Sequence, residues 1–398
     1  MEPDNPFVLN GIGYDMMQLS RHAKALRWLS RALEVQPDFV KAVHNTALSL
    51  FQFNRFDEAR VGFERLMQLD GTNPEAIWDF ALLQMLTGDF EAGWSGREAR
   101  FNLPSVKVRY PNFDRPQWHG DEPLEDKTIL LYADEGIGDS IQFARYAPMV
   151  AALGARVVLV VEQAVCPLLS RLSRVAECRS KSDPLPAFDL HCPISSLPLA
   201  FRTRLDTIPA ATSYLPAPPP DRIRAWEDRL GPHDRLRVGL VWSGNPNHSN
   251  DRNRSMPLRA LMRLLDVDAT FVSLQKDPRE DDRTMLAGTA IVDLTTQLTN
   301  FAETAALVSC LDLVITVDTS VAHLAAALGR PTWILLPFTP DFRWLIGRAD
   351  SPWCPSVRLF RQSETRDYAD VITHVRAELL TVSGQALAGQ PWLPSPAH

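Results

Sequence analysis

Three consecutive polar residues, Asp318, Thr319 and Ser320, interrupt an otherwise apolar stretch, LDLVITVDTSVAHLAAALGRPTWILLP at 311–337. The β-branched run Leu313–Val317 before them predicts a strand buried on both faces. The segment VAHLAAAL after them predicts a helix, closed by Gly329 and by Pro331 ahead of a second buried run, Thr332–Leu336. A helix start offers unpaired N–H groups and roughly half an elementary charge. The backbone of Thr319, Ser320 and Val321 can therefore hold a phosphate without a metal or a lysine. Taken by itself, this stretch is better explained by a packing helix capped by Thr319 or Ser320. His323, about one turn into the helix, has two open readings: a donor to a phosphate oxygen, or a hydrogen-bonded core histidine.

Other loops carry the same kind of chemistry. ADEGIGD at 133–139 follows the short apolar run Thr128–Tyr132, and its Gly136 and Gly138 let backbone approach a ligand closely. Asp139 stands at the mouth of that turn, either as a general base or as a first-turn acid favoured by the helix dipole. The loop at 243–255 combines Gly244, Asn245 and three further asparagines with His248, Arg252 and Arg254. An arginine beside a helix start makes a diphosphate clamp, and Arg254, just ahead of Ser255–Pro257, is placed for it. Gln275 and Lys276 fall at the end of the run Thr270–Leu274. The pair Asp266 and Asp268 has the spacing of a metal-binding carboxylate pair, but it precedes a strand instead of following one, so no metal site is assigned.

These loops need strands and helices to bring them together, and the chain alternates the two twice. The first series starts at Thr128–Tyr132, continues through a helix over Ser140–Leu153 and reaches a strand over Arg156–Val161. The second takes strands at Arg237–Trp242, Thr270–Leu274, Ile291–Leu294, Leu313–Val317 and Thr332–Leu336. Its helices fall at Pro257–Leu265 and Phe301–Ser309, with a closing helix over 365–380. The proline cluster YLPAPPP at 214–220 reads as a hinge between them. The expected fold is α/β, with two Rossmann-like lobes facing each other. In such sheets ligands lie off the carboxyl ends of strands, where all four polar loops fall. That coincidence favours a binding role for Thr319–Val321 over a plain cap.

Ahead of this body the chain repeats itself. Gly13, Ala47 and Ala81 are 34 residues apart, as are Ala25, Ala59 and Gly93, and as are His22, Phe56 and Phe90. A 34-residue period with small residues where two helices touch is the tetratricopeptide signature. In the third copy Arg97 and Arg100 replace the apolar residues of the first two. The expected division is repeats over 1–102, a proline- and aromatic-rich linker over 103–127, a first lobe over 128–220, a second over 221–382 and a disordered tail over 383–398.

Composition removes several functions. A formal net charge of −7 argues against a nucleic-acid partner. No apolar run is long enough to span a bilayer, and MEPDNPFVLN lacks the basic and apolar regions of a secretion signal. The five cysteines show no ligand-like spacing and read as reduced core thiols of a cytoplasmic protein. Ile141 stands where a dinucleotide fingerprint needs glycine, and no P-loop occurs, so neither site is expected.

The motifs EGIGDSIQFARY at 135–146, WSGNPNHSNDRNRSMPL at 242–258 and VDTSVAHLAAALGRP at 317–331 together carry a resemblance. The chain resembles bacterial proteins that join tetratricopeptide repeats to a glycosyltransferase family 9-like domain. The last motif is similar to the DTG-x-x-H-L-A signature of ADP-heptose:lipopolysaccharide heptosyltransferases, and the architecture is similar to that of protein O-GlcNAc transferases. The resemblance implies a GT-B fold and metal-independent, inverting transfer from a nucleotide-diphosphate sugar to a protein or glycan acceptor, with no cofactor. It implies Asp139 as the base, Arg254 near the basic phosphate ligand, where heptosyltransferases more often have lysine, and Thr319, Ser320 and Val321 as the amide cradle, with Ser320 where glycine is usual. The region 128–215 is shorter than a full GT-B acceptor lobe. Two further readings are open from the residues: a non-catalytic repeat scaffold with a degenerate GT-B body, and a nucleotide-sugar epimerase.

Overall fold

The computed structural model describes residues 4–103, 111–248 and 250–387. The chain divides into two compact units. One comprises residues 1–112, 202–206 and 339–346; the other holds the remainder.

The first unit is built from helices α1 (Pro6–Gln18), α2 (His22–Val35), α3 (Val40–Gln52), α4 (Phe56–Asp70), α5 (Pro74–Leu86) and α6 (Phe90–Arg97). Asn5 and Asn73 cap α1 and α5, each ahead of a proline whose missing N–H costs nothing at the first helical position. The small residues of the 34-residue period sit where helices cross. A side chain added at Gly93 would come within 2.1 Å of Met85, and one at Gly13 within 2.6 Å of Leu29. The divergence of the third repeat has a physical reason. The Arg97 guanidinium, 2% exposed, lies over the rings of Trp78, Trp94 and Phe342 at 5.4, 5.8 and 5.2 Å. Trp94 Nε1 donates to Thr203 O at 3.0 Å. Burial would raise the Asp341 carboxyl, but Arg343 beside it and the Arg97 charge hold it below the ordinary range. Arg97 and Trp94 thus take in two segments, 202–206 and 339–346, that come from far along the chain.

In the second unit the first lobe holds β1 (Thr128–Tyr132), α7 (Ile137–Phe143), α8 (Ala147–Ala152), β2 (Arg156–Val161), α9 (Cys166–Leu169), β3 (Val175–Ser180), β4 (Leu190–Pro193) and α10 (Leu197–Ala200). Its sheet is parallel in the order β3-β2-β1-β4. Helix α11 (Pro220–Leu230) leads to the second lobe, with β5 (Leu236–Val241), α12 (Asp251–Arg254), β6 (Ala269–Ser273), α13 (Glu280–Leu286), α14 (Phe301–Ser309), β7 (Leu313–Val317), α15 (Ser320–Ala327), β8 (Thr332–Leu336), β9 (Val357–Arg361) and α16 (Ala369–Leu387). Its sheet is parallel in the order β6-β5-β7-β8-β9. The architecture is thus helical repeats followed by an α/β body of two Rossmann-like lobes, each with a parallel sheet. Among the described residues no helix is long and apolar enough to cross a membrane.

Several expectations are corrected. The helix expected over Ser140–Leu153 is two, because Pro148 cannot donate to the turn before it. The helix expected over Pro257–Leu265 is a run of 3₁₀ turns, Leu258–Leu264. Its buried Leu258, Leu261 and Leu264 recur every three residues, the period of that tighter helix. Ile291–Leu294 makes one bridge, Val292 to Val272, and no strand, while β9 was not foreseen. The expected tail over 383–398 begins inside α16, where Val382 and Ser383 are buried and Ser383 Oγ donates to Asp268 O at 2.7 Å. Residues 388–398 and 104–110 of the expected tail and linker lie outside the described residues. The linker's aromatic anchor is Trp118, buried, its backbone N–H donating to His191 O of β4 at 2.8 Å and its indole N–H to Glu122 O at 3.1 Å. Cys192, Cys310 and Cys354 are buried as expected, but Cys166 and Cys178 are half-buried with sulfurs 3.6 Å apart.

Within this unit the lobes are joined by more than the proline segment. Arg145 lies between them, donating to Gln142 O at 2.8 Å, Pro209 O at 3.3 Å and Trp353 O at 2.8 Å, with Tyr214 stacked 4.5 Å from its guanidinium carbon. Tyr214 donates to Ile141 O at 3.0 Å, and burial pushes its phenol up to about 12, so it stays protonated. Replacing Arg145 by Met removes the donor from two buried carbonyls, Gln142 O and Trp353 O, and from the half-buried Pro209 O. At about 1–3 kcal/mol per unsatisfied buried group, Arg145→Met should lower stability by at least about 2 kcal/mol. A urea titration checks this, and an unchanged midpoint would refute the bridging role.

Candidate active site

Both sheets reverse their strand order at one point, between β1 and β4 in the first lobe and between β5 and β7 in the second. Crevices open at the carboxyl ends of such strand pairs. In the first lobe Asp134 follows β1 and accepts from Ser195 N at 3.2 Å and Ser195 Oγ at 2.6 Å, across the reversal. In the second, the loop after β5 carries Ser243, Gly244 and Arg254, and the loop after β7 carries Asp318, Thr319 and Ser320.

Arg254 closes the second crevice. Its Nη1 donates to Asp318 O at 3.1 Å, so the guanidinium is tied to the residue that opens α15. Gly244 makes room for it. A Cβ at that position would lie 2.7 Å from Arg254 Nη2 and 3.0 Å from its central carbon. Gly244 N donates to Ser255 Oγ at 2.9 Å, and Ser255 Oγ donates to Asp251 Oδ1 at 2.5 Å. Asp251, buried, also pairs with Arg279. Tyr368 Oη shares its proton between Arg254 O at 3.2 Å and Asn253 O at 3.4 Å.

Thr319 occupies the N-cap position of α15 but makes no side-chain cap bond; its hydroxyl pairs with Thr316 Oγ1 at 3.2 Å. The Ser320 and Val321 amides therefore open the helix without a side-chain acceptor among the described residues. His323 is buried, with Nε2 3.9 Å from Asp318 Oδ1. The glycine turn of the first lobe comes directly onto this helix start. A Cβ on Gly138 would lie 2.9 Å from His323 Cδ2 and 3.6 Å from Ser320 Cα. Asp139 Oδ2 accepts from Gly136 N at 2.9 Å, closing the first turn of α7. Ser140 Oγ and Lys181 Nζ reach the two oxygens of Glu162, at 3.1 and 2.5 Å.

The structure therefore brings Gly138, Gly244, Arg254, Asp318, Ser320 and His323 together around one helix start, with Thr319, Val321 and Asp139 adjacent. Gln275, Asn245 and Lys276 have other surroundings. Gln275 is buried, and its Oε1 accepts from Trp242 N at 3.2 Å and Ser243 N at 2.9 Å, holding the loop's backbone. Asn245 is exposed and turned onto its own loop, accepting from Asn247 N at 3.0 Å. Lys276 is exposed. Sequence reasoning missed Asp251, Ser255, Asp282 and Tyr368. The four-residue spacing of Asp251 and Ser255 is a local signal for a side-chain pair. Asp282 accepts from Trp242 Nε1 at 3.0 Å and Leu258 N at 2.8 Å, contacts that no local pattern announces.

Residues 270–370 match the model of glycosyltransferase family 9 (heptosyltransferase), a span that includes Gln275, Lys276 and Asp318–His323 but neither Asp139 nor Arg254. Protein FlbA of Caulobacter vibrioides is 27% identical over 394 residues, covering 90% of this chain and 64% of its own length. The chain thus spans a little under two thirds of that relative. The glycosyl transferase family 9 structure from Veillonella parvula is similar over 65% of this chain and 99% of its own, at 11% identity and TM-score 0.48. The E. coli ADP-heptose lps heptosyltransferase II is similar over 65% of this chain and 98% of its own, at 16% identity and TM-score 0.44. The likeness to the glycosyltransferase family 9 model thus lies over residues 270–370, from β6 to the start of α16.

Proposed function

We propose that the chain is a metal-independent, inverting glycosyltransferase that moves a sugar from a nucleotide-diphosphate donor to a hydroxyl of a protein or glycan acceptor. The observation that carries the reading is the meeting of three groups: the Arg254 guanidinium, the start of α15 without a side-chain cap, and the glycine turn ahead of Asp139. Two helix N-termini approach each other there, and both are positive ends. Asp139 answers the one on α7 by accepting from Gly136. A diphosphate would answer the one on α15.

In this reading Asp139 takes the proton of the acceptor hydroxyl as its oxygen attacks the anomeric carbon. The bond from that carbon to the diphosphate breaks, and its electron pair leaves with the diphosphate. Arg254 and the amides of Ser320 and Val321 stabilise the charge as it develops. His323, beside Asp318 and against Gly138, would donate to the same phosphates. The repeats would present the acceptor, favouring a protein, and the free cysteines fit a cytoplasmic setting.

One observation favours the second reading, a scaffold whose transferase body is not catalytic. Asp139 is already spent on the Gly136 N–H, the ordinary work of a first-turn acid. The two readings separate on Asp139→Asn. As the base, Asp139 should leave nucleoside diphosphate affinity unchanged when replaced while transfer falls about 10²- to 10⁴-fold. Near-normal transfer by the variant removes it as the base, and a wild-type protein that releases no nucleotide with any donor selects the scaffold.

Arg254→Ala should weaken nucleoside diphosphate binding at least about tenfold, or 1.4 kcal/mol, and leave nucleoside binding unchanged. Gly244→Ala should act in the same direction by displacing the guanidinium. Calorimetric titration reads both, and equal losses for nucleoside and diphosphate would place Arg254 away from the phosphates.

A further inference from the structure

Arg254 rides on α12, a single turn four residues long, which has little stability of its own. A guanidinium that must meet a diphosphate needs a fixed base, and helix propensity cannot supply it here. The turn is held from both ends. At its start Asp251, buried, pairs with Arg279 and accepts from Ser255 Oγ at 2.5 Å, while Ser255 Oγ accepts from Gly244 N at 2.9 Å. That chain orients Gly244, the residue over which the Arg254 side chain lies. At its end the Tyr368 hydroxyl reaches the two last carbonyls, Asn253 O and Arg254 O. Tyr368 is itself packed in the core beneath β5, with Trp242, Met256 and Val371. Burial pushes its phenol up, the nearby Asp318 carboxylate pushes it further and Arg254 opposes, so the hydroxyl stays a donor.

We infer that Tyr368 and Asp251 are positioning residues that fix the α12 turn and thereby aim the Arg254 guanidinium at the donor diphosphate. This rests on the reading of Arg254 given above. Neither side chain needs to touch the substrate. Their effect passes through Arg254 and must vanish when the guanidinium is gone.

The test is a double-mutant cycle on the full chain, read by calorimetric titration with UDP, ADP and GDP and with the matching nucleosides. Tyr368→Phe should weaken binding of the diphosphate about five- to tenfold and change nucleoside affinity less than twofold. In an Arg254→Ala background the same change should cost less than twofold. Asp251→Asn should repeat the pattern, which keeps the test alive should Tyr368→Phe fail to fold. Equal losses with and without Arg254, or equal losses for nucleoside and diphosphate, would overturn the positioning role while leaving the donor site standing. A wild-type chain that binds none of the three diphosphates would overturn both.

Discussion

The close approach of α7 to the start of α15 is the constraint on which the rest of the α/β body depends. It is possible because position 138 has no side chain; the His323 ring takes the space a Cβ would need, with Ser320 in van der Waals contact beside it. The approach sets two like-signed helix ends against each other, which is electrostatically unfavourable unless something negative answers each. The molecule provides Asp139 for one end and leaves the other, at Ser320 and Val321, without a side-chain cap among the described residues. The diphosphate proposed above would answer that end.

Everything around that point serves to keep it in register. Arg145 and Tyr214 tie the first lobe to the far end of the second through carbonyls at 141, 142, 209 and 353. The start of the proline cluster is anchored as well, with Tyr214 N and Leu215 N donating to Ala327 O at the end of α15. A stretch that looks like a free hinge by composition is thus fastened to the C-terminal end of the helix whose N-terminal end lies at the candidate site. The loop bearing Arg254 is held in the same manner, with Gln275, Asp282, Asp251 and Tyr368 each spending a polar group on its backbone or its turn.

The helical unit follows a different logic. Its first two repeats pack through small residues at the crossings, as the 34-residue period requires. The third exchanges that apolar pattern for Arg97 and Arg100, and Arg97 is buried under three aromatic rings. What looks like decay of the repeat is a specialised surface for two distant segments of the same chain.

From the amino-acid sequence by itself came the repeats, the strands β1, β2, β5, β6, β7 and β8, the glycine turn at 136–138 and the polar loops at strand ends. Each depends on periodicity or on residue types adjacent in sequence, which is where local chemistry is written. Tertiary structure decided which loops meet. The order β6-β5-β7 sets residues 244 and 254 beside residue 318, and the packing of α7 on α15 puts residue 138 against residue 323. It also set the Gln275 amide oxygen on the loop's own backbone and brought Tyr368 beneath Arg254, more than a hundred positions away. Nothing in a local window announces such pairings, because they arise from strand order and the burial of whole elements, which only the folded chain sets.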